Sequence, residues 1–382
     1  MRVGFYSPLP PARTGVADYS AALLAALVPL GDVRVNPGSE DIALYHLGNN
    51  QLHREIYGRA LASPGVVVLH DAVLQHFFLG TLSEREYIDE FIYNYGAWSE
   101  DLARDLWRRR ARSSADPDYF RYPMLKRIAG RSLAVVVHNP RAAVIVQEHA
   151  PDAAVREIPH LFVPPQLPAE NEVVRWRAAH GIAPHIFLAG VFGYLRESKR
   201  LAPILRAFHR AQEARDIALL IAGEFVSTDL ERAVEPLLAA GAGILRVGHM
   251  SERDFWLHAS AVDACINLRY PAAGETSGIG IRLMGIGKAV LVTAGEETAR
   301  FPDTACLRVD PGPAEEDMLY EYLLWLARYP DDARAIGRRA ATHIREFHAP
   351  DRVASQYWRV LADCYHKSNP ISATGSSPAA VR

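Results

Sequence analysis

The sequence predicts an α/β protein with two doubly wound, Rossmann-like domains that face each other across a cleft. Three observations support this fold class. Short β-branched segments alternate with amphipathic helical segments, a pattern typical of parallel strands joined by crossover helices. The chain has 382 residues, more than one ordinary core supports. Four prolines within residues 159–168 predict a linker between two halves, because proline disfavours both helices and central strands.

The predicted elements divide between the two halves. Five strands are expected in the first half, at 3–6, 42–46, 66–69, 134–137 and, with a weaker pattern, 155–158. Six are expected in the second half, at 186–191, 218–222, 245–247, 264–268, 289–293 and 306–309. The corresponding domains are 1–162 and 169–348. A C-terminal helix at 349–366 is expected to pack back onto the first domain, and 367–382, rich in Ser, Pro, Ala and Gly, to form a disordered tail.

Composition excludes several classes of function. Hydrophobic residues make up 49% of the chain, charged residues 23%, and the net charge is −2, which is typical of an ordered soluble protein and gives no sign of nucleic-acid binding. The three cysteines are too few and too scattered for a disulfide framework or a zinc site of the C-x-x-C kind. We therefore expect a cytoplasmic protein.

The most informative segment is 273–293, a loop followed by a helix and then a strand. It places the carboxylate of Glu275 beside the hydroxyls of Thr276 and Ser277 and beside Gly278, where a helix is expected to begin. Backbone N–H groups at a helix N-terminus lack intrahelical partners and favour anions. A phosphate that carries a hydroxylated group would suit this segment, and the combination indicates a nucleotide-sugar.

Two strand ends in the first half offer further candidates, since ligands of open α/β sheets lie at the carboxyl ends of strands. Gly15 lies in the loop after the first strand and would let a ligand approach the backbone, although a plain connecting loop is an equal alternative. The G-x-G-x-x-G dinucleotide motif is absent from this loop.

His70 and Asp71 follow the strand 66–69, where an imidazole could bind a sugar hydroxyl or a reacting oxygen; the alternative is a hydrogen-bonded loop histidine. His76 is a weaker candidate, and no third metal ligand is recognisable by spacing.

The second half begins with a strand, a glycine loop and a cationic segment at 196–200. Lys199 and Arg200 supply a point charge and a planar guanidinium, both suited to a diphosphate. The alternative is that Glu197, Lys199 and Arg200 form surface ion pairs of little energetic value.

A basic segment covers 104–131, with nine basic and three acidic residues. It could contact an anionic membrane surface or a lipid-diphosphate acceptor. The alternative is a solvated helix face.

Five segments of the second half, in this order and spacing, resemble the donor-binding half of glycosyltransferase family 4, which has the GT-B fold: 192–200, 219–224, 247–250, 267–278 and 287–292. The first half is similar to the same family at 8–20 and 69–71, so the resemblance covers roughly residues 1–366.

The resemblance implies a retaining, metal-independent hexosyltransferase that needs no cofactor. The donor would be a UDP- or GDP-sugar bound by the second domain, and the acceptor a hydroxyl group of a glycan, a lipid-linked compound or a small molecule bound by the first. The protein would be cytoplasmic, and it could also bind peripherally to the inner face of the membrane.

The resemblance also implies roles for individual residues. Glu275 would bind donor-sugar hydroxyls, and Lys199 would bind the diphosphate. His70 would lie on the acceptor side near the anomeric carbon, and Asp71 would also lie on the acceptor side. The N–H groups of Thr276, Ser277 and Gly278 would line the phosphate-sugar pocket. Met250 would line the base pocket, and Gly15 would close over the phosphates.

The chain departs from the family pattern at two positions. A second acidic residue that binds ribose is replaced by Leu283, or by Arg282 in an alternative alignment. The arginine that usually precedes the phosphate-binding lysine near Gly193 or Tyr194 is absent, and Arg196 would substitute for it. Two alternatives remain open: a nucleotide-sugar epimerase or phosphorylase on the same fold, and a non-catalytic glycan-binding relative.

Overall fold

The computed structural model describes residues 1–369, which form two parallel six-stranded sheets with helices on both faces. The first sheet has the order β2-β1-β3-β4-β5-β6 and the second β12-β11-β10-β7-β8-β9. The strands are β1 (Arg2–Tyr6), β2 (Asp32–Val35), β3 (Ile42–Leu47), β4 (Val66–Leu69), β5 (Ala134–Val137), β6 (Val155–Glu157), β7 (Phe187–Phe192), β8 (Ile217–Ala222), β9 (Ile244–Val247), β10 (Ala264–Asn267), β11 (Ala289–Thr293) and β12 (Leu307–Val309).

The α-helices connect these strands as crossovers and cover the sheets. They are α1 (Gly15–Leu27), α2 (Arg54–Ala62), α3 (Gln75–Thr81), α4 (Glu84–Tyr95), α5 (Glu100–Arg109), α6 (Lys126–Arg131), α7 (Pro140–His149), α8 (Glu170–Ala179), α9 (Leu201–Gln212), α10 (Thr228–Ala239), α11 (Glu252–Ala261), α12 (Gly278–Gly285), α13 (Glu315–Arg328), α14 (Pro330–Phe347) and α15 (Pro350–Ser368). The predicted α/β class with two doubly wound units is confirmed.

All eleven predicted strands occur, with ends that differ by a few residues, and the sequence analysis missed one strand. That strand, β2, lies at the edge of the first sheet and pairs with β1. Three of its four residues are exposed, so its sequence lacks the apolar run by which most of the other strands were predicted.

Apolar cores lie on both faces of each sheet because the strands are buried on both sides. In β4, Val66 and Val68 pack against α1 and α15, whereas Val67 and Leu69 pack against the helices of the opposite face. The second sheet has the same construction, with one core on each face.

The chain passes between the two sheets at two places, and the two passages contact each other. Residues 158–169 contain neither helix nor strand. The backbone N–H of Phe162 donates to the carbonyl oxygen of His348 at 2.8 Å, and the Nδ1 of His348 lies 2.5 Å from the carbonyl oxygen of His160. These bonds join the linker to the segment between α14 and α15.

After the second passage, α15 packs on the first sheet beside α1. The hydroxyls of Tyr19 and Tyr357 lie 2.9 Å apart, and the indole of Trp358 occupies the space where a side chain at Gly31 would lie. The helix extends to Ser368 and so includes two residues of the predicted tail; 370–382 lie outside the described residues. The domain limits themselves stay a prediction. Within residues 1–369, none of the helices combines the length and apolar character needed to cross a bilayer.

Candidate functional site

The carboxyl ends of the strands of both sheets face each other, and the loops that follow them are in contact. The backbone N–H of Ala72, after β4, donates to the carbonyl oxygen of Ala273 at 2.8 Å. The amide of Asn139, after β5, donates to the carbonyl oxygen of Gly274 at 2.9 Å and to the hydroxyl of Thr276 at 3.0 Å. The segment 272–278 therefore lies against the first sheet, at the position where ligands of α/β proteins bind.

The segment ends at the N-terminus of α12, as the sequence predicts. The hydroxyl of Ser277 caps the helix by accepting from the N–H of Gly280 at 3.2 Å and donates to Asn267 at 3.1 Å. Gly274 has a φ of +70°, and a Cβ there would lie 2.7 Å from the Cβ of Ala72. Glycine is thus required at this position both for the backbone conformation and for the contact with the first sheet.

Arg269, a residue that the sequence analysis did not single out, fixes the carboxylate of Glu275. One terminal nitrogen of Arg269 lies 3.3 Å from Glu275, and the other donates to the hydroxyl of Ser277 at 3.2 Å. The second oxygen of Glu275 accepts from the N–H of Ala273 at 2.6 Å. The only signal in the sequence is a basic residue two positions after β10.

Lys199 lies in a 3-10 turn after β7, and its side chain is turned inward. The residue is 5% exposed, and its ammonium donates to the carbonyl oxygen of Phe192 at 2.5 Å. Burial, followed by the nearby charge of Arg269, lowers the pKa of Lys199 to about 7. The ammonium lies under Gly193, where a Cβ would come within 3.7 Å of it. An anion at this strand end would therefore stabilise the protonated form of Lys199.

Its neighbour Arg200 does not serve the same site, so the suggestion that both residues hold a diphosphate is wrong for Arg200. The guanidinium of Arg200 makes three hydrogen bonds of 2.6–3.0 Å to Glu315, which is 2% exposed. The surface-pair alternative is also wrong for Lys199, which is buried. Arg196 is exposed, and its charge lowers the pKa of both Lys199 and Asp71. Arg196 therefore lies within electrostatic reach of both sides of the cleft.

Asp71 lies in the cleft on the side of the first sheet. One of its oxygens accepts from the N–H of Asn49 at 2.8 Å. Burial, followed by the charge of Glu275, raises the pKa of Asp71 to about 6. The two carboxylates thus influence each other across the cleft.

His70 belongs to a cluster of aromatic and imidazole rings at the ends of β3, β4 and β5. Its Nε2 lies 3.0 Å from the Nδ1 of His46, and its ring meets the ring of Tyr19 edge-on, with centroids 4.9 Å apart. The rings of His138 and His160 are also within 5.1 Å of that of Tyr19. Burial lowers the pKa of both His46 and His70 well below the usual value, so these imidazoles are neutral. His70 is hydrogen-bonded after β4, so the alternative of a hydrogen-bonded loop histidine stays open, and its role at the reaction centre stays a prediction.

The remaining predicted residues lie around this centre. Gly15 is the first residue of α1, and a Cβ there would meet no atom within 4 Å, so the space above it is open. Met250 follows β9 and packs on an apolar core of the second sheet. His76 lies 3.2 Å from Asn49 through its Nδ1. The roles that the family resemblance implies for these residues stay predictions.

The two positions that depart from the family pattern differ in accessibility. Leu283 is fully buried in the core, so it has no access to a ligand. Arg282 lies over the rings of Phe255 and Trp256, 3.9 and 4.3 Å from their centres, and pairs with Glu252 at 2.5 Å. Of the two positions, only Arg282 could contact a nucleotide.

A cavity adjoins the segment 272–278 on the side of β11. It is lined by residues rich in hydroxyl, carboxylate and amide groups: Asn267, Arg269, Ala272, Glu275, Thr276, Ser277, Gly280, Val292, Thr293, Glu297, Thr298 and Phe301. Within residues 1–369, no three His, Cys, Asp or Glu side chains are grouped so as to hold a metal ion.

The basic segment 104–131 is less positive than its sequence suggests. Arg104 pairs with Glu100, Arg127 with Glu90, and Arg109 with three aspartates. Glu90 and Glu100 precede the segment in sequence, so they were not counted with it. Contact of this segment with a membrane stays a prediction.

Comparison with solved structures identifies the fold. A sucrose-phosphate synthase from Thermosynechococcus elongatus matches 96% of this chain over 100% of its own, with a TM-score of 0.66 and 13% identity. The chain has the GT-B fold. HepE from Anabaena, solved in complex with UDP-glucose, matches 95% of this chain over 100% of its own, with a TM-score of 0.63 and 13% identity. WaaG, a glycosyltransferase involved in lipopolysaccharide biosynthesis, matches 93% over 99%, with a TM-score of 0.59 and 15% identity. No family model and no curated protein matches.

Proposed function

We propose that this protein is a retaining glycosyltransferase that moves a hexose from a nucleoside-diphosphate sugar to a hydroxyl acceptor. The observation that carries the proposal is the arrangement of Glu275, Lys199 and the N-terminus of α12 at one edge of the second sheet, opposite His70 and Asp71. The GT-B fold supports it, and so does the fact that HepE, which shares the fold, was solved with UDP-glucose.

The proposed chemistry follows from where charge develops. As the glycosidic bond to the diphosphate breaks, negative charge grows on the leaving phosphate. A buried ammonium and backbone N–H groups that already point toward this charge stabilise it without reorganisation. Lys199, with a pKa near 7, gains a proton when the diphosphate binds, and the N–H groups at 276–278 supply further donors.

Besides contributing a positive charge, Arg269 fixes the side chains that would bind the donor sugar. By holding Glu275 and Ser277 together, it fixes the carboxylate that would accept hydrogen bonds from donor-sugar hydroxyls. A fixed carboxylate costs less conformational entropy on binding than a mobile one. The contact of Ala72 with Ala273 closes the cleft on this side and would keep water from the sugar.

The first test is calorimetric titration of the purified protein with UDP, GDP and ADP. We expect one of the three to bind, and binding to weaken in Lys199→Ala, whereas Lys367→Ala, which changes a lysine at the end of α15, should bind as the unmodified protein does. A chain that binds none of the nucleotides would instead be the non-catalytic relative.

The second test separates transfer from the other enzymatic alternative. We expect nucleotide release from the donor to depend on added acceptor, and proton NMR of the product to show the anomeric configuration of the donor. An epimerase or phosphorylase would change the sugar without an acceptor hydroxyl. Full activity in EDTA would support the proposal that transfer needs no metal.

A further inference from the structure

The ring of His46 is stacked against that of His70, with ring centres 5.3 Å apart. His46 belongs to β3 and is completely buried, whereas His70 follows β4, the neighbouring strand. The Nδ1 of His46 and the Nε2 of His70 are 3.0 Å apart. Because burial lowers the pKa of both imidazoles, each ring carries one hydrogen, and a single hydrogen occupies this bond.

The surroundings of His46 determine which ring donates. Its Nε2 is buried and has no partner among the described residues. If His70 donated, the hydrogen of His46 would lie on this Nε2 as an orphaned, buried N–H group, a rare and costly arrangement. If His46 donates through Nδ1, the Nε2 keeps only a lone pair beside the ring of Phe5, whose centre is 4.8 Å from that of His46.

The other nitrogen of His70 is free to meet a ligand. Its Nδ1 has no hydrogen bond to the described residues and is not fully buried, so it retains access to solvent. The edge contact with Tyr19 limits rotation of the ring. The backbone of His46 is fixed in turn, because its carbonyl oxygen lies 3.0 Å from the Nδ1 of the buried His53.

We propose that His46 is a positioning residue that holds His70 in the Nδ1–H tautomer, so that His70 presents a hydrogen-bond donor to the cleft. The ligand of this donor rests on the proposed function: an oxygen of the donor sugar or the acceptor. In this role His70 stabilises an oxygen and does not remove a proton from it, because its Nδ1 already carries a hydrogen and its Nε2 is occupied by His46.

The decisive measurement is a nitrogen-15 NMR spectrum of the histidine-labelled, full-length protein without substrate, with His70 assigned by comparison with His70→Gln. We expect a protonated Nδ1 and an unprotonated Nε2 for His70. A protonated Nε2 with a bare Nδ1 would overturn the proposal. The spectrum is independent of activity, so a protein that shows this tautomer but binds no nucleotide would refute the proposed function and leave the assignment of the tautomer standing.

Two variants then test the contribution of His46. His46→Leu removes the donor and frees His70 to adopt the Nε2–H tautomer that histidine prefers in water; we expect kcat to fall about tenfold with little change in KM, a loss comparable to that of one hydrogen bond. His46→Asn places an amide N–H near the former Nδ1, and we expect it to restore the His70 tautomer and most of the rate. An unchanged His70 spectrum in His46→Leu would refute the proposal. If that variant does not fold, the spectrum of the unmodified protein decides alone.

Discussion

The backbone N–H of Ala72 donates a hydrogen bond to the carbonyl oxygen of Ala273, 2.8 Å away, and so joins the strand ends of the two sheets. Asp71 precedes the donor and Glu275 lies two residues after the acceptor, so this bond brings two carboxylates to the same cleft. Their proximity contributes to the raised pKa of Asp71. The candidate site is therefore formed jointly by the two halves of the chain.

The depressed pKa of Lys199 predicts a pH dependence of donor binding. Above pH 7 the Lys199 side chain of the free protein loses its proton, and it must take up a proton again when a diphosphate binds. If only the charged form binds, the Kd of a nucleotide-sugar rises up to about 30-fold between pH 6 and pH 8.5. Calorimetric titrations between pH 6 and pH 8.5 measure this Kd. A nucleotide-sugar is the right probe because its diphosphate does not titrate in this pH range. A pH-independent Kd would show that Lys199 does not contact the ligand.

Arg200 and Lys199 are adjacent but should respond differently to mutation. Arg200→Ala leaves the buried Glu315 without its partner, so we expect the free energy of unfolding to fall by about 3–5 kcal/mol. Lys199→Ala should instead weaken nucleotide binding and leave the protein folded. Urea denaturation and calorimetry on both variants test the contrast. Equal effects of the two variants on nucleotide affinity would contradict the assignment.

Asp71 is expected to reduce stability at neutral pH. Its pKa is about 6 in the folded protein against 3.8 for the free side chain, so folding favours the protonated form, and stability is lost as pH rises from about 4 to 6. Asp71→Asn should therefore raise the free energy of unfolding at pH 7 but not below pH 4. Denaturation curves at the two pH values measure this. A variant less stable than the unmodified protein at pH 7 would show that the carboxylate is favourable where it lies.

The buried imidazoles predict a loss of stability in mild acid. Burial lowers the pKa of four of them to about 3 or 4: His53, His138, His160 and His348. Their contribution is fully present above pH 6.5 and is lost as pH falls toward 4, because the unfolded chain binds protons there that the folded chain cannot. Each contributes a slope of about 1.4 kcal/mol per pH unit within this window.

Removing one of these imidazoles should reduce the slope by about one proton. We expect this for His138→Phe, measured as the free energy of unfolding from pH 7 to pH 4. His185→Gln is the matched control, because His185 has an exposed side chain and should leave the slope unchanged. A slope that is the same in both variants would refute the prediction.

The sequence was sufficient to predict most of the fold because nine of the twelve strands have at least one buried residue. It was not sufficient for β2, an exposed edge strand held by its pairing with β1. In the site, Glu275 and Ser277 could be predicted because a helix start has a local signature in the sequence.

Contacts between distant residues account for what the sequence analysis missed. Arg200 meets Glu315, 115 positions later in the chain, and that pairing decides that Arg200 is structural. The burial of Lys199 depends on how β7 and β10 pack, and the partners of His70 come from other strands and the linker. Arg269 was overlooked because its contact with Glu275 depends on the path of the intervening loop.

The central claim is tested most directly by sugar transfer in Glu275→Gln. Glutamine retains an oxygen that can accept from Ala273, so the variant should fold, but it loses the carboxylate that pairs with Arg269 and would bind donor-sugar hydroxyls. Release of nucleotide in the presence of acceptor should fall about 100-fold or more. Glu296→Gln, the same change at an exposed glutamate, should retain full activity. Transfer by Glu275→Gln at the unmodified rate would contradict the account.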